Sequence, residues 1–130
     1  QPSISPDGRR FAMRLQPKGS GGAAAEIWVY ELPAGPLTRL TFVDGLESNP
    51  TWTPDGRRIL YSAARGGKPQ ALYLQPWDGG GAAELVLQRK GHMWHTSWLP
   101  DGDRFVFDES EQAFGPTDIH LSSVSAPDPA

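Results

Sequence analysis

The sequence predicts an all-β fold, a partial β-propeller of about three blades. A Pro-Asp-Gly turn occurs three times, and the copies are 48 and 46 residues apart. Such intervals are typical of propeller blades with four strands each. Apolar residues alternate with polar ones on both sides of each turn, and the chain contains 15 Gly and 13 Pro. This pattern indicates short strands joined by many turns.

Each Pro-Asp-Gly copy has the chemistry of a tight turn between two antiparallel strands. Pro presets φ at the first central position, Asp accepts backbone N–H bonds, and Gly supplies the positive φ that closes the turn. Because the aspartates recur inside identical turns, their predicted role is structural. The predicted turn residues are Pro6, Asp7, Gly8, Pro54, Asp55, Gly56, Pro100, Asp101 and Gly102.

The strands of each repeat come in the same order. A large apolar residue precedes each turn, namely Ile4, Trp52 or Trp98. Third strands are predicted at 26–30, 71–75 and 118–122, and fourth strands at 37–41 and 83–87. The third repeat has no fourth strand, since two prolines interrupt the segment after residue 122. The predicted blades span about 1–42, 49–88 and 95–124, with a tail at 125–130.

Composition excludes several classes of function. Twelve basic and fifteen acidic residues give a net charge of −3 without a basic cluster in the sequence, which disfavours nucleic-acid binding. No apolar run approaches the roughly 20 residues of a membrane helix, so no membrane span is expected. The chain has no cysteine and therefore no disulfide or thiolate metal site. Because it starts at Gln1 and not at Met, we expect an upstream segment to have been removed or left out.

The candidate ligand site lies in the loops that precede the first strands of the second and third blades. First strands line the channel of a propeller, so these loops should open at its mouth. An aromatic residue among polar groups suits the capture of a peptide or small ligand. The alternative is that Trp94 packs against the next blade. The candidate ligand-binding residues are Glu47, Ser48, Asn49, His92, Trp94 and His95.

The sequence predicts neither a metal site nor a cofactor. His92 and His95 are three residues apart, but no Cys or acidic cluster accompanies them, and His120 lies on a different strand. The nucleophile-elbow and zinc-protease motifs are absent, so no catalytic residue is assigned. A small channel enzyme that uses His92, His95 and Glu47 is a further alternative.

The motif Ser5-Pro6-Asp7-Gly8-Arg9-Arg10 and its two copies resemble the TolB-type WD40-like propeller repeat family. Arg39-Leu40-Thr41 at the end of the first blade adds to this resemblance, and the second repeat is similar to propellers attached to bacterial serine/threonine kinases. The resemblance implies a non-enzymatic scaffold or binding module, or else an accessory propeller of a larger peptidase or kinase. It also implies a periplasmic or extracytoplasmic location.

Closed propellers have about four to eight blades, whereas this sequence supplies fewer than three. An isolated arc would leave apolar sheet faces exposed at its two ends. We therefore expect self-association, with two copies closing a ring of six blades. The alternative is that the chain is a fragment of a longer propeller.

Overall fold

The computed structural model describes residues 2–42 and 45–127, which form eleven strands in three antiparallel sheets. Sheet 1 contains β1–β4, sheet 2 contains β5–β8, and sheet 3 contains β9–β11. The all-β partial propeller that the sequence predicts is confirmed. The strands are β1 Ser3–Ile4, β2 Arg10–Leu15, β3 Glu26–Glu31, β4 Leu37–Arg39, β5 Gly45–Trp52, β6 Arg58–Arg65, β7 Ala71–Pro76, β8 Glu84–Gln88, β9 His92–Trp98, β10 Arg104–Ser110 and β11 Asp118–Ser123.

The first two Pro-Asp-Gly turns are built in the same way. Gly8 and Gly56 have φ values of 70° and 71°, a backbone region that favours glycine. Asp7 Oδ1 accepts bonds from the Arg9 N–H at 3.0 Å and the Ser5 hydroxyl at 2.6 Å. The equivalent bonds to Asp55 Oδ1 are 2.9 Å and 2.7 Å long. These side-chain bonds fix the turn that joins the first two strands of each sheet.

In the third turn, an arginine side chain instead of a Ser or Thr hydroxyl donates to the aspartate. Leu99 stands where the other turns have Ser or Thr, so it cannot donate to the aspartate. Asp101 Oδ1 instead accepts the backbone N–H groups of Asp103 and Arg104, both at 2.9 Å. The Arg104 side chain donates to Asp101 Oδ2 at 2.6 Å. The turn therefore keeps its form with a different partner.

Two apolar clusters hold the sheets together, and sheet 2 contributes to both. Along β6, Ile59 and Tyr61 face sheet 1 while Leu60 faces sheet 3, as expected for a strand buried on both sides. The cluster between sheets 1 and 2 comprises Ala12, Ile27, Val29, Leu40, Trp52, Ile59, Tyr61 and Ala63. The cluster between sheets 2 and 3 comprises Leu60, Leu72, Leu74, Val86, Leu87, Met93, Phe105 and Phe107.

The inner edges of the sheets are formed by their first strands, which contact one another. The Trp52 indole N–H donates to the Ser3 carbonyl at 3.0 Å, linking β5 to β1. The hydroxyls of Thr51 and Thr96 lie 2.9 Å apart, linking β5 to β9. The strands β1, β5 and β9, each an edge strand of its sheet, therefore lie next to one another.

Strands β5 and β9 begin at Gly45 and His92, upstream of the predicted blade starts at 49 and 95. Each strand passes through a bulge, between Ser48 and Thr51 in β5 and opposite Val106–Asp108 in β9. The extra residue absorbs the change in direction, so pairing continues beyond it. The division of the chain into blades stays a prediction. Residues 128–130 of the predicted tail lie outside the described residues, and so does Gln1 of the first blade.

The outer faces of sheets 1 and 3 are not covered. On sheet 1, Phe11, Met13, Trp28 and Tyr30 are half-buried and Ile4 is 66% exposed. On sheet 3, Ile119 is 81% exposed. The described residues form no helix, and hence none with the length and apolar character to cross a membrane.

Candidate functional site

A groove of about 470 Å³ opens at the end of the sheets where β5 and β9 begin. Its size falls within the range of ordinary ligand clefts. Residues of all three sheets line it, because β2, the loop from β6 to β7 and the connection from β8 to β9 meet there. The lining residues are Arg14, Leu46, Ser48, Asn49, Ala64, Lys68, Pro69, Gln70, Lys90, Gly91, His92 and Trp94.

Four of the six predicted ligand-binding residues line this groove, namely Ser48, Asn49, His92 and Trp94. The structure thus brings together residues from two strands that are more than 40 positions apart. His95 lies on β9, but its side chain falls outside what the structure describes. Whether these residues bind a ligand stays a prediction.

Two aromatic rings form one wall of the groove. His92 and Trp94 are two residues apart on β9, so they point to the same face. Their rings stack with centroids 5.9 Å apart and planes 16° from parallel. His92 is exposed and Trp94 is half-buried. The stacked pair therefore offers a flat surface to a ligand.

Gln70 holds this wall against the neighbouring loop. Its side-chain oxygen accepts the Met93 backbone N–H at 2.7 Å, and its carbonyl accepts the Arg89 N–H at 3.3 Å. Met93 is completely buried between His92 and Trp94. Gln70 thus ties both the strand that carries the two rings and the segment before it to the loop between β6 and β7.

Asn49 has a φ of 54°, the positive value of the left-handed region. Asn adopts this conformation more readily than most residues because its side chain is short and polar. It stands at the bulge of β5, and it is half-buried at the groove. A residue held in this backbone region is often part of a binding site, which makes its amide a candidate ligand group.

Glu47, which the sequence predicts at the channel mouth, is buried within sheet 2. Its side chain is 0% exposed, and its Oε1 accepts a bond from Arg65 Nη2 at 2.7 Å. The same Arg65 nitrogen donates to the Tyr61 hydroxyl at 3.0 Å, and its guanidinium lies 4.1 Å from the Tyr73 ring centroid. A buried carboxylate requires such pairing. Glu47 is not among the described residues that line the groove, and its role in ligand binding stays a prediction.

The network extends across the interface between sheets 1 and 2. The Tyr61 hydroxyl donates to Gln75 Oε1 at 3.1 Å, and Gln75 Nε2 donates to the Leu40 carbonyl at 3.2 Å. Burial raises the pKa of Tyr61 to about 12, so the phenol keeps its proton at neutral pH. It therefore serves as both donor and acceptor in the network.

His120 lies outside the groove, beside an acidic residue. His120 stacks on Phe107 with centroids 5.3 Å apart, and its Nε2 lies 3.6 Å from Glu109 Oε2. It is on the third strand of sheet 3 and does not line the groove. Among the side chains that the structure describes, which exclude that of His95, no three His, Asp or Glu residues gather as a metal-binding group.

Sequence reasoning missed the basic residues of the groove. Arg14, Lys68 and Lys90 come from three separate segments, so no linear motif joins them. Strand topology could have brought them together, since the end of β2, the loop after β6 and the connection before β9 all lie at one end of the sheets. The burial of Glu47 could also have been predicted, because the repeat alignment makes its position equivalent to that of the apolar Met93.

The comparisons with known proteins agree with this architecture. The family model described as the TolB β-propeller domain matches residues 1–127. The uncharacterized peptidase YuxL of Bacillus subtilis is 31% identical over 107 residues, which are 81% of this chain and 16% of that protein. The Tol-Pal system protein TolB of Anaeromyxobacter dehalogenans is 36% identical over 101 residues, which are 78% of this chain and 23% of that protein.

A solved structure shows the same fold. A TolB-like protein of Agrobacterium tumefaciens superimposes with a TM-score of 0.82 at 24% identity, over 97% of this chain and 46% of that one. The chain spans less than a quarter of the length of either curated relative. With the family model matching nearly every residue, the chain belongs to the TolB β-propeller domain family.

Proposed function

We propose that the chain is a non-enzymatic binding module whose groove at the channel face recognises a protein, peptide or small ligand. The groove itself carries this proposal, because it combines a preformed cavity, a stacked aromatic wall and polar groups from β5. Binding sites of this kind are concave, with a few polar groups that fix orientation. Membership of a propeller family whose relatives include a Tol-Pal system protein supports a binding role.

Selection from a random peptide library displayed on phage tests the proposal. Peptides that bind the purified chain should lose at least about tenfold in affinity toward Trp94→Ala, since a central aromatic anchor contributes strongly to binding. Phe114→Ala is the matched control, because Phe114 is fully exposed and outside the groove. Equal affinity for the parent and Trp94→Ala, or no selected peptide at all, would overturn the proposal.

A second candidate is an accessory propeller that belongs to a larger enzyme. The similarity to a peptidase, of which the matched segment is only 16%, favours this possibility. A propeller attached to a peptidase or kinase would position or admit the substrate of its partner domain. The complete reading frame tests it. An adjoining hydrolase or kinase domain supports the accessory role, and its absence contradicts it.

Self-association is a further part of the proposal. The outer face of sheet 1 carries Phe11 and Met13, and the equivalent residues of sheets 2 and 3 pack on the sheet before them. Equivalent faces elsewhere in the chain are thus covered by another sheet. We propose that a second copy of the chain covers these end faces and completes a ring.

A further inference from the structure

The groove is basic although the chain as a whole is acidic. Its lining includes Arg14, Lys68 and Lys90 together with His92, and none of the described residues that line it is Asp or Glu. The net charge of the chain is −3. From this contrast we propose that the groove binds an acidic peptide segment through its side-chain carboxylates. The inference rests on the proposed function and specifies its ligand class.

The cations of the groove belong to the half of the twelve Lys and Arg residues that form no ion pair within the described residues. Six arginines form ion pairs with carboxylates: Arg10, Arg39, Arg58, Arg65, Arg89 and Arg104. Within the described residues, Arg14, Lys68 and Lys90 form no ion pair, and all three are exposed. Their charges are therefore available to a ligand, and a groove lined by one sign of charge concentrates ligands of the opposite sign.

The side chains at the groove favour a peptide over a simple anion. The backbone edge of β5 is already used there, since the Ala25 N–H donates to the Gly45 carbonyl at 3.1 Å and the Glu47 N–H donates to the Ala25 carbonyl at 3.2 Å. Recognition therefore depends on side chains. The stacked rings of His92 and Trp94 provide an apolar surface beside the cations. The amide of Asn49, held at the bulge, adds a donor and an acceptor. An acidic peptide with one apolar side chain matches the cations, the aromatic surface and this amide.

Nucleic acid is the competing polyanion, and the observations favour it less. The groove contributes only three Lys or Arg residues on a chain of net negative charge. Nucleic-acid sites are marked by a basic patch on a basic domain. The experiment therefore includes an oligonucleotide as a separate ligand.

Fluorescence anisotropy with labelled probes tests the proposal. The probe is the peptide Gly-Glu-Glu-Leu-Glu-Glu-Gly, and the comparison probe has Gln in place of each Glu. We expect the acidic probe to bind at least about tenfold more tightly than its Gln counterpart, and to weaken as salt is raised, because exposed charge pairs are screened. Lys68→Glu and Lys90→Glu should each weaken the acidic probe severalfold.

The control variant is Lys18→Glu, an exposed cation in the loop after β2 that does not line the groove. It changes net charge by the same amount and should leave the affinity unchanged. Equal binding of the two peptides overturns the acidic ligand class but leaves the proposed function intact. Equal loss in Lys18→Glu and Lys68→Glu also overturns it, and so does tighter binding of a single-stranded oligothymidine than of the acidic peptide.

Discussion

Glu47 Oε1 lies 2.7 Å from Arg65 Nη2, and this ion pair stands where the third repeat has a buried methionine. The two residues belong to neighbouring strands of sheet 2, and Glu47 is completely buried. In the third repeat Met93 fills the equivalent position with an apolar side chain. The same position of the fold is thus filled by a paired carboxylate in sheet 2 and by an apolar side chain in sheet 3.

The pair predicts an unequal response to single and double substitution. Arg65→Met leaves a buried carboxylate without its partner and should lower the free energy of unfolding by about 3 kcal/mol. The double variant with Glu47→Met should recover most of this loss, since an apolar pair of similar volume can replace a buried ion pair. Urea unfolding measures both values.

The exposed pair of Arg58 and Glu84 provides the control. These side chains are 3.9 Å apart and partly solvated, so Arg58→Met should cost less than about 1 kcal/mol. If Arg65→Met costs no more than Arg58→Met, the buried pair contributes nothing to stability. If the double variant is as unstable as Arg65→Met alone, Met cannot replace Glu47 in sheet 2.

Acid should lower the free energy of unfolding, because it protonates the aspartates of the three turns. Hydrogen bonds from the Arg104 backbone and side chain and from the Asp103 backbone lower the pKa of Asp101 to about 2. Bonds from Ser5 and Thr53 likewise lower the pKa values of Asp7 and Asp55. A lowered pKa in the folded state means that stability is present above about pH 4 and is lost as pH falls toward about 2.

Asp101→Asn tests the contribution of the third turn. Its urea midpoint should fall less than that of the parent between about pH 5 and about pH 2.5, because one titrating group has been removed. Asp118→Asn, an exposed carboxylate on β11 outside the turns, should keep the slope of the parent. An identical pH dependence in Asp101→Asn and the parent would show that the turn bonds do not persist in solution.

The turns and the number of strands could be predicted from the sequence because they depend on local chemistry. Pro, Asp and Gly define the turn wherever they occur together, and period-two alternation defines the flanking strands. All three turns and the predicted four, four and three strands are present. The expected exposure of apolar residues at the ends of the arc is also observed, at Ile4 and Ile119.

The rest depended on contacts between distant residues. Glu47 is buried because Arg65, eighteen positions later, neutralises it, and no local pattern encodes that pairing. The bulge at Asn49 appears only when β5 is paired with β6. The groove gathers Arg14, Lys68 and Lys90 from three segments, so its charge emerges only in the folded chain.

The interface between sheets 2 and 3 should be sensitive to loss of volume. Leu60 is completely buried in its cluster, so Leu60→Ala should lower the free energy of unfolding by about 3 kcal/mol through lost burial and a residual cavity. Leu85→Ala in the same sheet is the control, since Leu85 is 52% exposed, and should cost less than about 1 kcal/mol. Similar costs for the two variants would mean that sheet 3 is not packed on sheet 2 in solution.

The exposed end faces predict concentration-dependent self-association. Ile119 is 81% exposed on the outer face of sheet 3, and Leu121 beside it is 51% exposed. The corresponding residues of sheet 2, Leu72 and Leu74, are buried against the next sheet. Light scattering should therefore give a species of twice the 14.2 kDa chain mass, as expected for a closed dimer.

Ile119→Asp should convert this dimer to a monomer, because a charge on the apolar face cannot be buried without a partner. Phe114→Asp, in the loop between β10 and β11 and fully exposed, should leave the dimer intact. A parent chain that is folded and monomeric at all concentrations would contradict ring closure by a second copy. Equal dissociation in both variants would contradict the placement of the interface on the outer face of sheet 3. If the parent chain and Phe114→Asp are dimers while Ile119→Asp is a monomer, the two copies meet through the outer face of sheet 3.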